Sequence, residues 1–142
     1  MSARCFIDTN ILIYAHETST GAKHLRARAL LEEVWQEGQG VISTQVLQEF
    51  CVSAIRKSKR PVSFAELATT VEDLMKWEII TNQASGVLRA LQIQERFRIS
   101  FWDALLVHSA EIARVSILYS EDLSDGQMYG SVRVVNPFKT RQ

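Results

Sequence analysis

Cys5-Phe6-Ile7-Asp8-Thr9-Asn10-Ile11-Leu12-Ile13-Tyr14-Ala15 is the stretch on which the reading of the fold turns. The apolar run at 4–7 is short and stops abruptly at a polar residue, which is the pattern of a buried strand. Asp8, Thr9 and Asn10 follow, and all three residue types cap helix N-termini well. An apolar segment then resumes. A strand passing through a polar turn straight into a helix is the repeating unit of an α/β domain. Open sheets of that class bind ligands beyond the carboxyl ends of their strands, where Asp8 stands. Two readings of Asp8 are open. It caps the helix, or it faces a ligand while Thr9 or Asn10 caps in its place.

The rest of the chain repeats the alternation. Short apolar runs at 41–43, 115–119 and 132–135 read as strands, and 78–80 as one more. Segments of helical period lie between them. In 22–37, Leu25, Ala29, Leu30 and Val34 are expected on one face. In 44–57 the stripe is Val46, Leu47, Phe50 and Ala54. The segment 63–76 opens with Ser63 and Glu66 at capping-box spacing. In 84–97 the apolar residues are Val87, Leu88 and Leu91, and 101–114 is apolar on most sides, as a buried helix is. Strands alternating with helices predict an α/β domain on a largely parallel sheet. With 142 residues, no repeat and no linker, one domain is expected over 1–138, followed by a polar tail at 139–142.

Composition narrows the function classes. The chain is 46% hydrophobic and 23% charged, which is globular rather than disordered. Cys5 and Cys51 have no CxxC spacing and no nearby His pair, so two reduced, buried thiols are expected rather than zinc or a disulfide framework. No apolar run approaches the ~20 residues of a bilayer span, and Met1-Ser2-Ala3-Arg4 is not the start of a signal peptide. A cytoplasmic protein without membrane contact is the expectation. The formal net charge is zero, so composition by itself does not point to nucleic acid. Local charge does. Arg56-Lys57-Ser58-Lys59-Arg60-Pro61 joins two helices, and Arg56, Lys57, Lys59 and Arg60 are candidates for phosphate contact, against the alternative of a solvated loop.

Acids recur at the strand ends. Glu49 lies in the second turn of the helix entered from the second strand, at the edge of its apolar stripe, and can face the same crevice as Asp8. Asp103 shares a helical face with Leu106, Val107 and Ala110. Burying a carboxylate there without a partner is costly. Ser100 and Asp103 also have capping-box spacing, and a cap and a ligand role are compatible. Asp122 and Asp125 lie in a turn closed by Gly126, where Asp is common for backbone reasons alone. If these acids converge they repel, at roughly 3 kcal/mol per pair ~5 Å apart at an effective dielectric of ~20. Protonation or a bound cation must offset that. Oxygen ligands without His or Cys select a hard ion, magnesium or manganese.

At these residues the sequence resembles the PIN-domain family. Cys5 to Ala15 resembles its strand-Asp-Thr/Ser-Asn opening. Leu47-Gln48-Glu49-Phe50 resembles its helical acid, Ser100-Phe101-Trp102-Asp103-Ala104-Leu105 its third acidic motif, and Leu118-Tyr119-Ser120-Glu121-Asp122-Leu123 its fourth. The match runs on to Asn136-Pro137-Phe138. The resemblance implies a three-layer α/β/α sandwich on a mainly parallel sheet and an acidic quartet of Asp8, Glu49, Asp103 and Asp122. Asn10 and Ser120 would support it, with Asp125 in reserve. Small members of this kind are VapC-type toxins of type II toxin–antitoxin systems. That implies a homodimer, a cognate antitoxin, and a magnesium-dependent endoribonuclease, with manganese as a substitute, that cleaves RNA by metal-activated water. His16, which closes the first helix, is the histidine nearest this site; His24 is expected on a helix surface and His108 buried or capped. Trp35, Trp77 and Trp102 are expected in the core or at the dimer contact, with Trp102, beside Asp103, the exception that invites a base-stacking role.

The sequence speaks against two rival readings. Another metal-dependent phosphohydrolase of the haloacid-dehalogenase-like type needs Asp-x-Asp after the first strand, and here the third position is Asn10. A non-catalytic module that binds RNA or protein has no need of an intact acidic quartet.

Overall fold

The computed structural model describes residues 4–139. The expected tail therefore lies outside the described residues except for Lys139, as do Met1, Ser2 and Ala3 of the opening segment. The chain runs β1 (Cys5–Ile7), α1 (Thr9–His16), α2 (Ala22–Glu37), β2 (Gly40–Ser43), α3 (Thr44–Lys57), α4 (Phe64–Leu74), β3 (Glu78–Ile80), α5 (Ala84–Phe97), α6 (Phe101–Ile112), β4 (Ile117–Tyr119), β5 (Met128–Tyr129) and β6 (Val132–Val135). Six strands form one sheet in the order β3-β2-β1-β4-β6-β5. All neighbours are parallel except the terminal β5–β6 pair. This is the α/β sandwich that the alternation of elements predicts.

The order of the strands has a functional consequence. From β1 the chain moves outward through β2 to β3, then returns to place β4 on the other side of β1. The direction of winding reverses between β1 and β4, and a crevice opens beyond their carboxyl ends. All three residues of β1 are buried, as a strand flanked and covered on both sides requires. In β6, Val132 and Val134 are buried and Arg133 is exposed, the alternation of a strand nearer the edge. Helices α1, α2 and α3 pack together, and α5 pairs with α6, which also contacts β2 and β6.

Two helices present other faces than the apolar pattern suggests. In α2 the buried residues are Ala27, Leu30 and Val34, while Leu25 is 70% exposed and Ala29 also faces out. In α5 the buried residues are Gly86, Ala90 and Ile93, and Val87, Leu88 and Leu91 are exposed. The reason in α5 is close approach. A Cβ on Gly86 would stand 2.8 Å from His108 Nε2 on α6. Small residues let the two helices meet, and the larger apolar side chains are turned away.

Two helices are also shorter by one or two residues at an end than the sequence pattern. Helix α6 stops at Ile112 rather than Arg114, because Arg114 adopts φ 58° and the Val115 N–H returns to Ala110 O at 3.4 Å. That exit shortens β4, which starts at Ile117 and not at 115. Strand β5 has no counterpart in the apolar pattern. It is two residues held by β6, across a turn in which Gly130 has φ 62°. Cys5 and Cys51 are both free, Cys5 buried and Cys51 only half-buried, and burial pushes the Cys5 thiol up to about 12.

Candidate active site

Asp8 follows β1 directly and caps α1. Its Oδ1 accepts the Thr9 N–H at 2.6 Å, and its Oδ2 accepts the Ser120 hydroxyl at 2.7 Å. The Asp8 N–H is itself held by Tyr119 O at 3.0 Å. Asp8 itself is the cap, in place of Thr9 or Asn10. The cap fixes the carboxylate at the reversal between β1 and β4, where it lines a cavity of about 440 Å³.

The same cavity collects Glu49, Asp103 and Asp122. Each arrives on its own element. Glu49 comes from α3, which Ser43 starts by accepting the Val46 N–H at 3.3 Å, and its Oε1 accepts the Thr9 hydroxyl at 2.9 Å. Asp103 is in the first turn of α6, which Ser100 caps by accepting the Asp103 N–H at 3.1 Å. Asp122 follows β4, and its N–H donates to Ser120 Oγ at 3.2 Å. Ser120 therefore ties the first acid to the fourth.

The electrostatics follow from this crowding. Asp8 is 5% exposed, and burial pushes its carboxyl up to about 7. The charges of Asp122 and Asp103 add to the rise, while the Ser120 and Thr9 hydrogen bonds oppose it. Burial also raises Asp103, against its bond to Ser100 and with the charges of Asp122 and Glu49. A cation among these groups would favour their charged forms.

Asn10 lines the cavity as well, and its Oδ1 and Nδ2 are both buried without a hydrogen-bond partner among the described residues. Gln45 Oε1 is in the same position, while Gln45 Nε2 donates to Trp102 O at 3.1 Å and ties the start of α3 to the start of α6. Such groups normally have water or an ion to satisfy them. Among the described residues, no three His, Cys, Asp or Glu side chains are drawn into a ready-made metal cluster. The acids line one space, and two of them are engaged with hydroxyl or amide donors. An all-oxygen donor set with unsatisfied amide oxygens fits a hard, partly hydrated ion.

Other candidates fall elsewhere. Asp125 is not in the cavity; its Oδ1 accepts the Asn136 N–H at 2.8 Å and fastens the turn before β5 to the end of β6. His16 pairs with Glu66 at 3.5 Å and lines a different groove, with Trp35 and Trp77. His24 is half-buried, its Nδ1 2.9 Å from Tyr14 O. Trp35 and Trp77 lie 6.1 Å apart between centroids. The basic segment divides. Arg56 and Lys57 line the acidic cavity, Arg60 pairs with Glu66, and the Lys59 backbone N–H is held by Glu17 at 3.1 Å.

Thr9, Gln45 and the anchoring of Glu121 escaped the sequence reading. The Tyr14 hydroxyl donates to Glu121 Oε1 at 2.6 Å, and Lys23 forms an ion pair with the same carboxylate. Glu121 precedes Asp122, so this knot fixes the loop that carries the fourth acid. A signal was available for Gln45 alone. Positions 45, 48, 49, 52, 53 and 56 make a stripe of i, i+3, i+4 spacing, and all of them line the cavity.

Comparison with known proteins agrees with this geometry. A family model described as PIN domain matches residues 5–124. Among solved structures, a toxin–antitoxin complex from Klebsiella pneumoniae has a chain 22% identical, with a TM-score of 0.70, 96% of this chain covered and 99% of that one. Mycobacterium tuberculosis VapC20, described as a Sarcin-Ricin loop cleaving toxin, is 19% identical with a TM-score of 0.64, covering 83% and 89%. DNA-bound VapBC from Salmonella typhimurium is 19% identical with a TM-score of 0.63, covering 94% and 97%. At these identities the likeness is one of fold. No curated protein matches the chain significantly.

Proposed function

This chain belongs to the PIN-domain family, and from that membership we propose that it is a magnesium-dependent endoribonuclease, the toxin of a type II toxin–antitoxin pair. One observation carries the reading. Four carboxylates from four separated segments line one cavity at the reversal of the sheet, with no His or Cys among the described residues that line it. The family likeness to chains from toxin–antitoxin complexes supports the toxin role and a cognate antitoxin as partner. Among the described residues no helix is long and apolar enough to cross a membrane, and a cytoplasmic setting, where RNA is available, suits the proposal.

Asp8, Glu49, Asp103 and Asp122 would hold magnesium, with manganese able to replace it. When bound, the metal supplies a Lewis acid that lowers the pKa of water and neutralises charge on the scissile phosphate. The chain's own residues prepare the place. Ser120 and the Thr9 N–H fix the two oxygens of Asp8, and the Thr9 hydroxyl aims Glu49. Ser100 holds the turn that presents Asp103. Arg56 and Lys57, at the far end of the α3 stripe, meet the phosphates flanking the cut.

The test uses purified protein and single-stranded RNA. Cleavage is expected in magnesium, lost with chelator, and lost in Asp8→Asn. Wild-type rates in Asp8→Asn, or cutting that persists in chelator, refute the mechanism. A binding-only PIN module would retain RNA affinity without cleavage and without thermal stabilisation by magnesium. Growth arrest on expression of the chain alone, relieved by co-expression of a short protein from the adjacent reading frame, tests the toxin role; no arrest refutes it.

A further inference from the structure

The acidic cavity has an apolar lip that the metal chemistry does not use. Trp102, in the first turn of α6, is 60% exposed, and Val52, on the α3 stripe, is 61% exposed; both line the cavity. Large apolar side chains left bare at the edge of a charged cavity mark a surface that something covers. Three observations say what kind of molecule. Arg56 and Lys57 line the same cavity as the four acids. Among the described residues Arg56 forms no ion pair, and Lys57 feels the Glu121 carboxylate without pairing with it directly. Val52 lies on the same α3 face, between Glu49 and Arg56.

The turn beneath the indole is held in place. Gln45, itself 5% exposed, fixes the Trp102 carbonyl through its Nε2. The Phe101 ring meets the indole edge to face, 5.3 Å between centroids. Ser100 caps the turn that bears both. A ring ordered in advance loses little entropy when a planar partner settles on it.

We propose that Trp102 is a stacking platform for one unpaired RNA base, with Val52 as the apolar wall beside it, while Arg56 and Lys57 hold the adjoining phosphates. The proposal rests on the ribonuclease reading and adds to it the residue that would meet the base. A base inside a duplex has both faces covered by its neighbours and cannot use the platform.

The experiment separates this from the nuclease reading by working in chelator, without cleavage. Wild-type protein is titrated with a short oligouridylate, with the same ribose-phosphate chain lacking bases, and with a duplex of equal length, while tryptophan fluorescence is followed. Oligouridylate is expected to quench the emission and to bind at least fivefold more tightly than the abasic chain. Base–aromatic stacking is commonly of a size to give about five- to a hundredfold. Trp102→Leu should remove the quench and the preference, Trp102→Phe should keep most of the preference, and duplex binding should be equal in all three proteins. Unchanged oligouridylate affinity in Trp102→Leu overturns the proposal. So does an equal loss in the Leu and Phe variants, or a change of oligomeric state in Trp102→Leu, which would make the indole a protein contact. Base-dependent binding without cleavage in magnesium would leave the platform standing and remove the nuclease.

Discussion

Asp8 does three things at one position: it caps α1, it receives Ser120 from beyond β4, and it offers a carboxylate to the cavity. Its titration has a measurable consequence. The folded chain holds the Asp8 proton up to about pH 7, whereas an ordinary aspartate releases it near 3.8. Between those values the folded state binds more protons than the unfolded, so raising the pH removes stability from the metal-free protein. The loss begins near pH 4 and is complete above about 7. In chelator, Asp8→Asn should therefore gain stability relative to wild type as pH rises, by a few kcal/mol at about 1.4 kcal/mol per pKa unit. Thermal melts from pH 4 to 8 measure this, and a constant difference across the range would refute it. Thr9 acts on Glu49 in a simpler way. Thr9→Val keeps the volume but removes the hydroxyl that meets Glu49. RNA cleavage should fall by roughly tenfold, with melting changed by no more than about 1 kcal/mol for one hydrogen bond.

At the scale of elements, β2 and the turn after α4 meet without spare room. A Cβ on Gly40 would stand 2.8 Å from Trp77 Cε3 and 2.9 Å from two further ring carbons. The rigid indole cannot swing its middle aside, so Gly40→Ala should cost about 1–3 kcal/mol as an overpacked site. Denaturant melts read the loss, and a shift in tryptophan emission should accompany it. Most elements could be read in advance because each carries its own signal. Helices α2, α3 and α5 and strands β3 and β6 lie where the periodicity puts them. The orientation of α2 and α5 could not be read, because large apolar residues were assumed to face inward, and the Gly86–His108 contact reverses that in α5. Strand β5 has no local signal, since only its pairing with β6 makes it a strand. In the site, the acids were legible by type and place, with family likeness needed for Glu49 and Asp122. The Ser100 cap was legible in its spacing to Asp103, whereas the Thr9 hydroxyl, the Gln45 tether and the Glu121 knot depend on which segments touch, which periodicity does not encode.

For the whole molecule, the outward face of α5 is an exposed apolar stripe, and we propose that a second copy covers it. Val87, Leu88 and Leu91 share it, with Leu88 66% exposed. The homodimer implied by the family would cover this stripe with its own copy, as a two-fold interface does. Leu88→Glu with Leu91→Glu should turn a dimer into a monomer in sedimentation velocity. Melting of the monomer itself should change little, since neither side chain is buried within it. A wild-type protein that sediments as a monomer at high concentration would remove the dimer from the account.

The placement of β4 between β1 and β6 bears on when the acidic cavity is complete. Synthesis delivers β1, β2 and β3 first, along with Asp8, Glu49 and Asp103. Ser120 and Asp122 come later, just after the strand that closes the far side of β1. A chain still short of β4 has three of the four acids but no hydroxyl to orient the first and no wall to complete the crevice. On the proposed ribonuclease reading, this topology would act as a timer: the site would be complete only once β4 has been made, which would spare the messenger being read.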